Sequence, residues 1–441
     1  MNCSKIGVRR EDKYEWDRRA PLVPGDAKSL DEKGIEIIVQ SSPNRVFTRE
    51  KYERLGISVK DDISVCPVIL GIKEIPLAAF ERNKVYVFFS HTVKGQVYNM
   101  PMLQRILDLD CTLIDYEKIT DADGRRLIFF GNYAGLAGMI ETLWALGSRL
   151  AWEGIKNPFT EIKRAIDYPD LAAAKAAVNQ VGKNINSAGL PEEINPLVVG
   201  FAGYGNVSRG AQEIFDLLPV EEIPPGELAA LRESRPTSNR LIYKVVFKEE
   251  DMVEHREVGR SFDLQEYYDH PEFYRGIFKR YLPHLDVLIN AIYWEEAYPR
   301  LVTKEDVRKL YANGKARLRV IGDISCDIGG AIECTIKSTD FDDPIYVYDP
   351  VNDRALVGVE GNGLVIMAVD ILPAELPRES SEFFSGILRD FIPGIATADF
   401  SSDLDGCGLP PEIKRAVIVY NGELTPDYRY LKEFVEGTSR K

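Results

Sequence analysis

The sequence predicts an α/β protein of two doubly wound domains with a cleft between them, the second domain inserted into the first. Three observations predict it. A short apolar run, 197–201, enters a turn at Gly203 and Gly205 and continues at helical spacing through Val207, Ala211, Ile214, Phe215 and Leu218. From residue 5 to 130, apolar runs alternate with helical patterns, as in a parallel sheet covered by helices. The stretch 133–152 has the length and apolar spacing of a helix connecting two domains, and Pro373 and Pro377 mark a break where the chain crosses back.

In the first domain, assigned to 1–134 and 365–441, strands are expected at 5–9, 35–40, 67–73, 84–90, 111–115 and 126–130. Helices are expected near 24–33, 48–55 and 96–109. In the second, 135–364, strands are expected at 197–201, 243–247, 286–292, 319–324 and 345–348, with a weak one at 220–223. The stretch 249–280, dense in charge and tyrosine, reads as a lid-like insert rather than core. From Gly361 the chain reads as a proline-capped helix leading back to the first domain, which closes with helices at 381–391, 412–417 and 428–435.

Composition narrows the class of function. The chain has 441 residues, 45% apolar and 28% charged, with a formal charge of −14. That excess of acid argues against nucleic acid as a partner, since phosphate backbones are held by Lys and Arg. Cys3, Cys66, Cys111, Cys326, Cys334 and Cys407 form no Cys-x-x-Cys pair, which reads as reduced thiols in a cytoplasmic protein without a metal site. The N-terminus lacks the apolar core of a signal peptide. The most apolar long stretch contains Glu141 and Arg149, so it reads as a buried helix and not a membrane span.

A strand, a glycine turn and a helix N-terminus in that order form a seat for a dinucleotide's pyrophosphate, and both domains are expected to be Rossmann-like. The third glycine of G-x-G-x-x-G is Ser208, which leaves a hydroxyl near the phosphates. Asn206 and Val207 open the helix. A tight turn in an ordinary α/β domain is the competing reading.

The catalytic candidates lie at strand ends. His91 closes the apolar run 85–90, at the sheet edge where ligands bind in open α/β folds. An imidazole there suits general acid–base work, although histidines satisfied within the fold are common at strand ends. Lys73 and Glu74 end the preceding strand, and Glu117 follows the next. Arg18-Arg19 and Arg125-Arg126 are guanidinium pairs suited to carboxylates, or simply solvated turns. In the second domain Asn290, Ala291, Asp323 and Asp327 fall at strand ends where a ribose and nicotinamide would pass. The acidic 340–343 stretch lacks metal-loop spacing.

These residues sit within longer stretches that resemble a known family: 8–12, 16–22, 71–74, 88–92, 114–118, 203–212, 288–295, 323–330 and 377–381. The chain resembles the lysine–2-oxoglutarate reductase half of α-aminoadipic semialdehyde synthase, and more distantly the lysine-forming saccharopine dehydrogenases and alanine dehydrogenases. The resemblance implies Lys73 and His91 as proton-handling residues and Arg19 and Arg126 as carboxylate binders, with Glu74 and Glu117 as active-site acids. It implies Gly203, Gly205 and Ser208 at the dinucleotide, Asn290 and Asp327 beside the nicotinamide, and Asp370 near it on the returning helix. The cofactor implied is NAD(P)H with a lean to NADPH, whereas Glu222, after the weak second strand, would favour a free ribose hydroxyl. The substrates implied are lysine, 2-oxoglutarate and saccharopine. Because the bifunctional enzyme continues and this chain ends at Lys441, a single step is expected. The alternatives are an alanine-dehydrogenase-type enzyme and a non-catalytic dinucleotide-binding partner.

Overall fold

The computed structural model describes residues 5–234, 238–312 and 316–438, so Cys3 lies outside the described residues. The chain divides into two compact units, 1–130 with 377–441, and 131–376. In chain order the strands are β1 (Lys5–Val8), β2 (Glu36–Gln40), β3 (Ser58–Lys60), β4 (Val68–Leu70), β5 (Val85–Phe88), β6 (Thr112–Asp115), β7 (Leu197–Ala202), β8 (Val220–Glu222) and β9 (Ile242–Phe247). There follow β10 (Val253–His255), β11 (Tyr274–Gly276), β12 (Val287–Asn290), β13 (Val320–Asp323), β14 (Ile345–Asp349), β15 (Arg354–Val357), β16 (Leu364–Met367), β17 (Val417–Tyr420) and β18 (Glu423–Leu424).

The first unit's sheet runs β18-β17-β6-β5-β4-β1-β2-β3. The strands from β1 to β6 pair in parallel, and β17 adds to β6 antiparallel. The inner strands β4, β5 and β6 are buried along their whole length, as a sheet covered on both faces requires. The strand order reverses at β1, so the crevice between the ends of β1 and β4 is the switch point where such sheets bind ligands.

The second unit's sheet runs β15-β14-β16-β13-β12-β7-β9-β8, with a separate two-stranded ribbon of β10 and β11. Its order reverses at β7, beside β12. The helix Asn206–Phe215 that follows β7 packs on the long helix Gly131–Trp152. That approach depends on glycine: a Cβ on Gly135 would lie 1.9 Å from the Val207 carbonyl oxygen, and one on Gly210 2.0 Å from that of Asn132. Among the described residues no helix is long and apolar enough to cross a membrane.

Several elements differ from the sequence reading. The segment after Gly361 is not a helix but β16, a central strand between β13 and β14. A fully buried parallel strand is apolar at every position, so its sequence lacks the alternation that marks a strand. Asp370 therefore sits in an exposed turn beyond β16 and not on a helix. The 126–130 segment contributes only an isolated bridge between Thr120 and Arg126. The 412–417 stretch is a short helix, Pro411–Arg415, running into β17. The 249–280 insert is part of the core: Met252, Val253, Tyr267, Tyr274 and Phe278 join the unit's buried cluster. Its charges face outward while its aromatic rings pack inward. His255, within the same stretch, is 6% exposed at its side chain and packs edge-on to Tyr274.

Candidate active site

Polar side chains gather at the switch point of the first unit. The carboxylate of Glu11, just past β1, accepts from the backbone N–H of Ile72 at 2.8 Å and of Lys73 at 2.9 Å, joining the ends of β1 and β4. Lys73 is half-buried and Glu74 buried. The Glu74 carboxylate meets His91 Nδ1 at 2.9 Å through Oε1 and Lys13 Nζ at 2.9 Å through Oε2. Burial acts to raise the pKa of Glu74, but the hydrogen bond and charge of His91, together with Lys13, outweigh it and hold the carboxyl well below the usual carboxylate range. His91 is held at φ 49°, a left-handed conformation costly for a residue with a Cβ. Its carbonyl accepts from Asn99 Nδ2 at 3.1 Å. With Nδ1 turned to Glu74, Nε2 is the nitrogen placed to exchange protons.

The ends of β5 and β6 are joined by Asp115, which is fully buried. It accepts from the N–H of Ser90 at 3.0 Å and makes a short contact with the Ser90 hydroxyl. The same carboxylate caps the turn carrying Glu117, accepting its N–H at 2.8 Å. Burial raises the Asp115 pKa, opposed by those hydrogen bonds.

The two arginines are in different states. Arg19 is buried and already held by Asp17, Nε to Oδ1 at 2.9 Å and Nη2 to Oδ2 at 2.7 Å, with its guanidinium over Phe130. Burial raises the Asp17 pKa, but Arg19 reverses that and lowers it. Arg126 is exposed, its guanidinium 5.5 Å from the Phe89 ring centre. Of the pair, Arg126 presents the guanidinium to solvent, whereas Arg19 has a carboxylate supplied from within.

In the second unit Gly203 takes φ 95° and its N–H bonds the carbonyl of Phe247 at 3.1 Å. Gly205 caps the helix beginning at Asn206, with Val207 half-buried in its first turn. A Cβ on Gly205 would meet nothing within 4 Å, so the fold itself leaves room there for a ligand. Ser208, in the helix's first turn, is fully buried, and its Oγ accepts from Gln212 Nε2 at 3.0 Å. A cavity of about 490 Å³ opens beside the turn, lined by Gly203, Gly205, Ala291 and the aromatic residues of the 249–301 stretch.

Asn290 and Asp323 end adjacent strands and bond each other, Nδ2 to Oδ1 at 2.8 Å. Asp323 also makes a short contact with the Thr335 hydroxyl, and burial pushes its pKa up to about 6. The Asn290 Oδ1 is buried without a hydrogen-bond partner among the described residues. Burial raises the pKa of the half-buried Cys326 thiol, and the charges of Asp323, Asp370 and Asp327 add to that rise. Glu222 lies on the edge strand and pairs with Lys244 at 3.0 Å, two strands from the glycine turn. Among the described residues no cluster of three or more His, Cys, Asp or Glu is arranged to hold a metal. Sequence reasoning missed Glu11, Lys13, Asp17 and Asp115. Only their carboxylate or ammonium character was visible, not the loop contacts that give each a partner.

Two doubly wound α/β units, one with a polar cluster at its switch point and the other with a glycine turn at its own, define a dehydrogenase-like architecture. Models of the alanine dehydrogenase/PNT N-terminal and C-terminal domains match residues 7–137 and 274–427, and the chain belongs to that family. A solved L-alanine dehydrogenase superposes at a TM-score of 0.63 over 98% of this chain and 99% of that one, at 16% identity, a likeness of fold. The chain is 41% identical to the alpha-aminoadipic semialdehyde synthase of Arabidopsis thaliana over 97% of its own length, and spans 41% of that relative. It is 26% identical to a saccharopine dehydrogenase [NAD(+), L-lysine-forming] of Emericella nidulans, over 88% of this chain and 91% of that one.

Proposed function

We propose that the chain is an NAD(P)-dependent oxidoreductase acting on a CH–NH bond: it condenses the ε-amine of lysine with 2-oxoglutarate, and reduces the resulting imine to saccharopine, or runs the reverse. The observation that carries this reading is the Lys13–Glu74–His91 cluster beside Lys73 at the first unit's switch point. Saccharopine and lysine stand in the name of the Emericella nidulans relative, and 2-oxoglutarate follows from the family resemblance of the sequence. In this reading the first unit binds the amino and oxo acids and the second, including 135–364, binds the dinucleotide. The five described cysteines are all free, in keeping with a reducing, cytoplasmic setting.

The groups fit a stepwise proton economy. Lysine attacks only as a neutral amine, so its ammonium must lose a proton, and the resulting carbinolamine must lose hydroxide with a proton added. His91 Nε2 and the Lys73 ammonium are assigned to those transfers. Glu74 orients His91 through Nδ1, leaving Nε2 toward the substrate. Arg126 is assigned to a substrate carboxylate, and Glu117 to an amine. Arg19, paired with Asp17, holds the loop and engages substrate only by exchanging that partner. The second unit's open space at Gly205, the helix N-terminus beyond it and the adjoining cavity fit a dinucleotide, with Asn290, Ala291, Asp323, Asp327 and Asp370 on the nicotinamide side. When bound, the reduced cofactor supplies the hydride.

The family's alanine dehydrogenase fold favours one rival, reductive amination of a 2-oxo acid with ammonia. A steady-state screen of substrate pairs separates them. Oxidation of NADH or NADPH is expected with lysine plus 2-oxoglutarate and not with ammonia plus pyruvate; the opposite pattern selects the rival. Tight dinucleotide binding with no turnover on any pair selects a non-catalytic partner.

A further inference from the structure

We propose that the second unit carries a further binding site, for a small anion with two or more charged carboxylate or phosphate groups, in a cavity at the N-terminal edge of its sheet. The inference stands apart from the oxidoreductase reading above and does not need it.

The cavity has a volume of about 450 Å³, and its wall includes Arg149, Trp152, Glu153, Glu193, Arg317 and Arg319. It sits where strands begin. Arg319 directly precedes β13, and Asp286, which contacts the wall arginines from behind, directly precedes β12. Gly203, Asn290 and Asp323 mark the opposite ends of β7, β12 and β13. A strand as long as β7, Leu197–Ala202, spans about 20 Å. The cavity and the glycine turn therefore lie on opposite edges of one sheet, and a ligand held here does not reach the nucleotide seat.

Positive charge is in excess at this edge. Glu153 accepts from Arg149 Nε and from Arg319 Nε, each at 2.8 Å. The buried Asp286 is shared by Arg232 Nη2 at 2.7 Å, Arg319 Nη1 at 3.4 Å and Arg317 Nε at 3.7 Å. Four guanidiniums thus draw on two carboxylates, and Glu193, exposed, is the other acid on the wall. Arg149 is committed: it also donates to the Val359 and Gly361 carbonyls, at 2.7 and 2.9 Å, and packs on the Trp152 ring. Arg317 is held least. Its Nε is buried without a hydrogen-bond partner among the described residues, and its Nη2 meets the Pro196 carbonyl at 3.5 Å, the outer limit of a hydrogen bond. Burial lowers its pKa, and the charges of Arg232 and Arg319 add to that against Asp286.

An ion-pair network that only tied strand ends together would match its charges and close its space. This one leaves a positive excess and an under-used guanidinium facing an open cavity. A carboxylate or a phosphate pairs with a guanidinium through two parallel hydrogen bonds, and a second charged group on the same molecule would meet Arg319.

Calorimetric titration of the full chain at low ionic strength, with citrate as the polycarboxylate probe and pyrophosphate as the phosphate probe, tests the inference. The variants are R317Q and E193K, and thermal melting confirms that each is folded. At least one probe is expected to bind the wild type saturably, and the tighter of the two identifies the charged group the site takes. R317Q is expected to weaken that probe roughly tenfold or more, the worth of a charge-assisted hydrogen bond. E193K, an exposed change that turns a negative wall charge positive, is expected to tighten it roughly threefold. Should R317Q fail to fold, E193K decides alone. Saturable binding of neither probe overturns the inference. An affinity that a folded R317Q does not lower, or that E193K does not raise, places the anion elsewhere on the chain and overturns it as well.

Discussion

Glu74 is buried, yet it stays ionised because a histidine and a lysine each contact one of its oxygens. Its pKa in the folded protein lies below the ordinary carboxylate value of 4.5, so below that pH the unfolded chain takes up a proton that the native one resists. The stability this provides is complete above pH 4.5 and drains away as the pH falls further. E74Q has no such linkage. Urea unfolding between about pH 3 and 6 is expected to show wild-type stability falling more steeply than that of E74Q below pH 4.5; parallel curves would mean that the pair does not hold the carboxyl ionised. At this scale the sequence was partly legible. Glu74 and His91 stand out because a titratable residue closing a buried strand has to be explained. The bidentate pairing of Arg19 with Asp17 does not stand out: two residues apart in an irregular loop, their meeting depends on backbone turns that no periodicity encodes.

Two glycines on either side of one helix start serve different ends. Gly210 lies where helix Asn206–Phe215 touches the long helix, and a methyl group there would strike the Asn132 carbonyl. G210A is expected to cost about 2–4 kcal/mol of stability by overpacking. Gly205 takes an ordinary φ of −75° with open space around its missing side chain. G205A is therefore expected to change stability by about 0.5 kcal/mol or less while weakening dinucleotide binding, because only a ligand would meet the new methyl. Thermal melts paired with nucleotide titrations check both, and a G205A that binds NADH and NADPH as the wild type does would place the phosphates elsewhere. Element by element, the sequence reading succeeded where local chemistry decides. The strand–glycine–helix unit at 197–215 is legible because a buried apolar strand, two glycines and an amphipathic helix follow one another without a gap. It failed at β16, a strand without alternation, and at the second Rossmann position. There chain order pointed to β8 and only the sheet order reveals β9.

For the molecule as a whole, the interruption of one α/β unit by another was visible in the long apolar helix and the late return of the chain, and the chain divides that way, 131–376 falling between 1–130 and 377–441. Less visible was how much of the 249–280 stretch is core, because its outward charges outnumber the rings it buries. The account assigns proton handling to the first unit and the nucleotide to the second, so the two functions should separate on mutation. The most direct test measures kcat for lysine plus 2-oxoglutarate, together with the Kd of the reduced nucleotide, in K73M and H91Q. The account predicts that each variant loses roughly a hundredfold or more in kcat, as removal of a general acid–base group does, while Kd stays within about threefold. Undiminished turnover in both variants would contradict it.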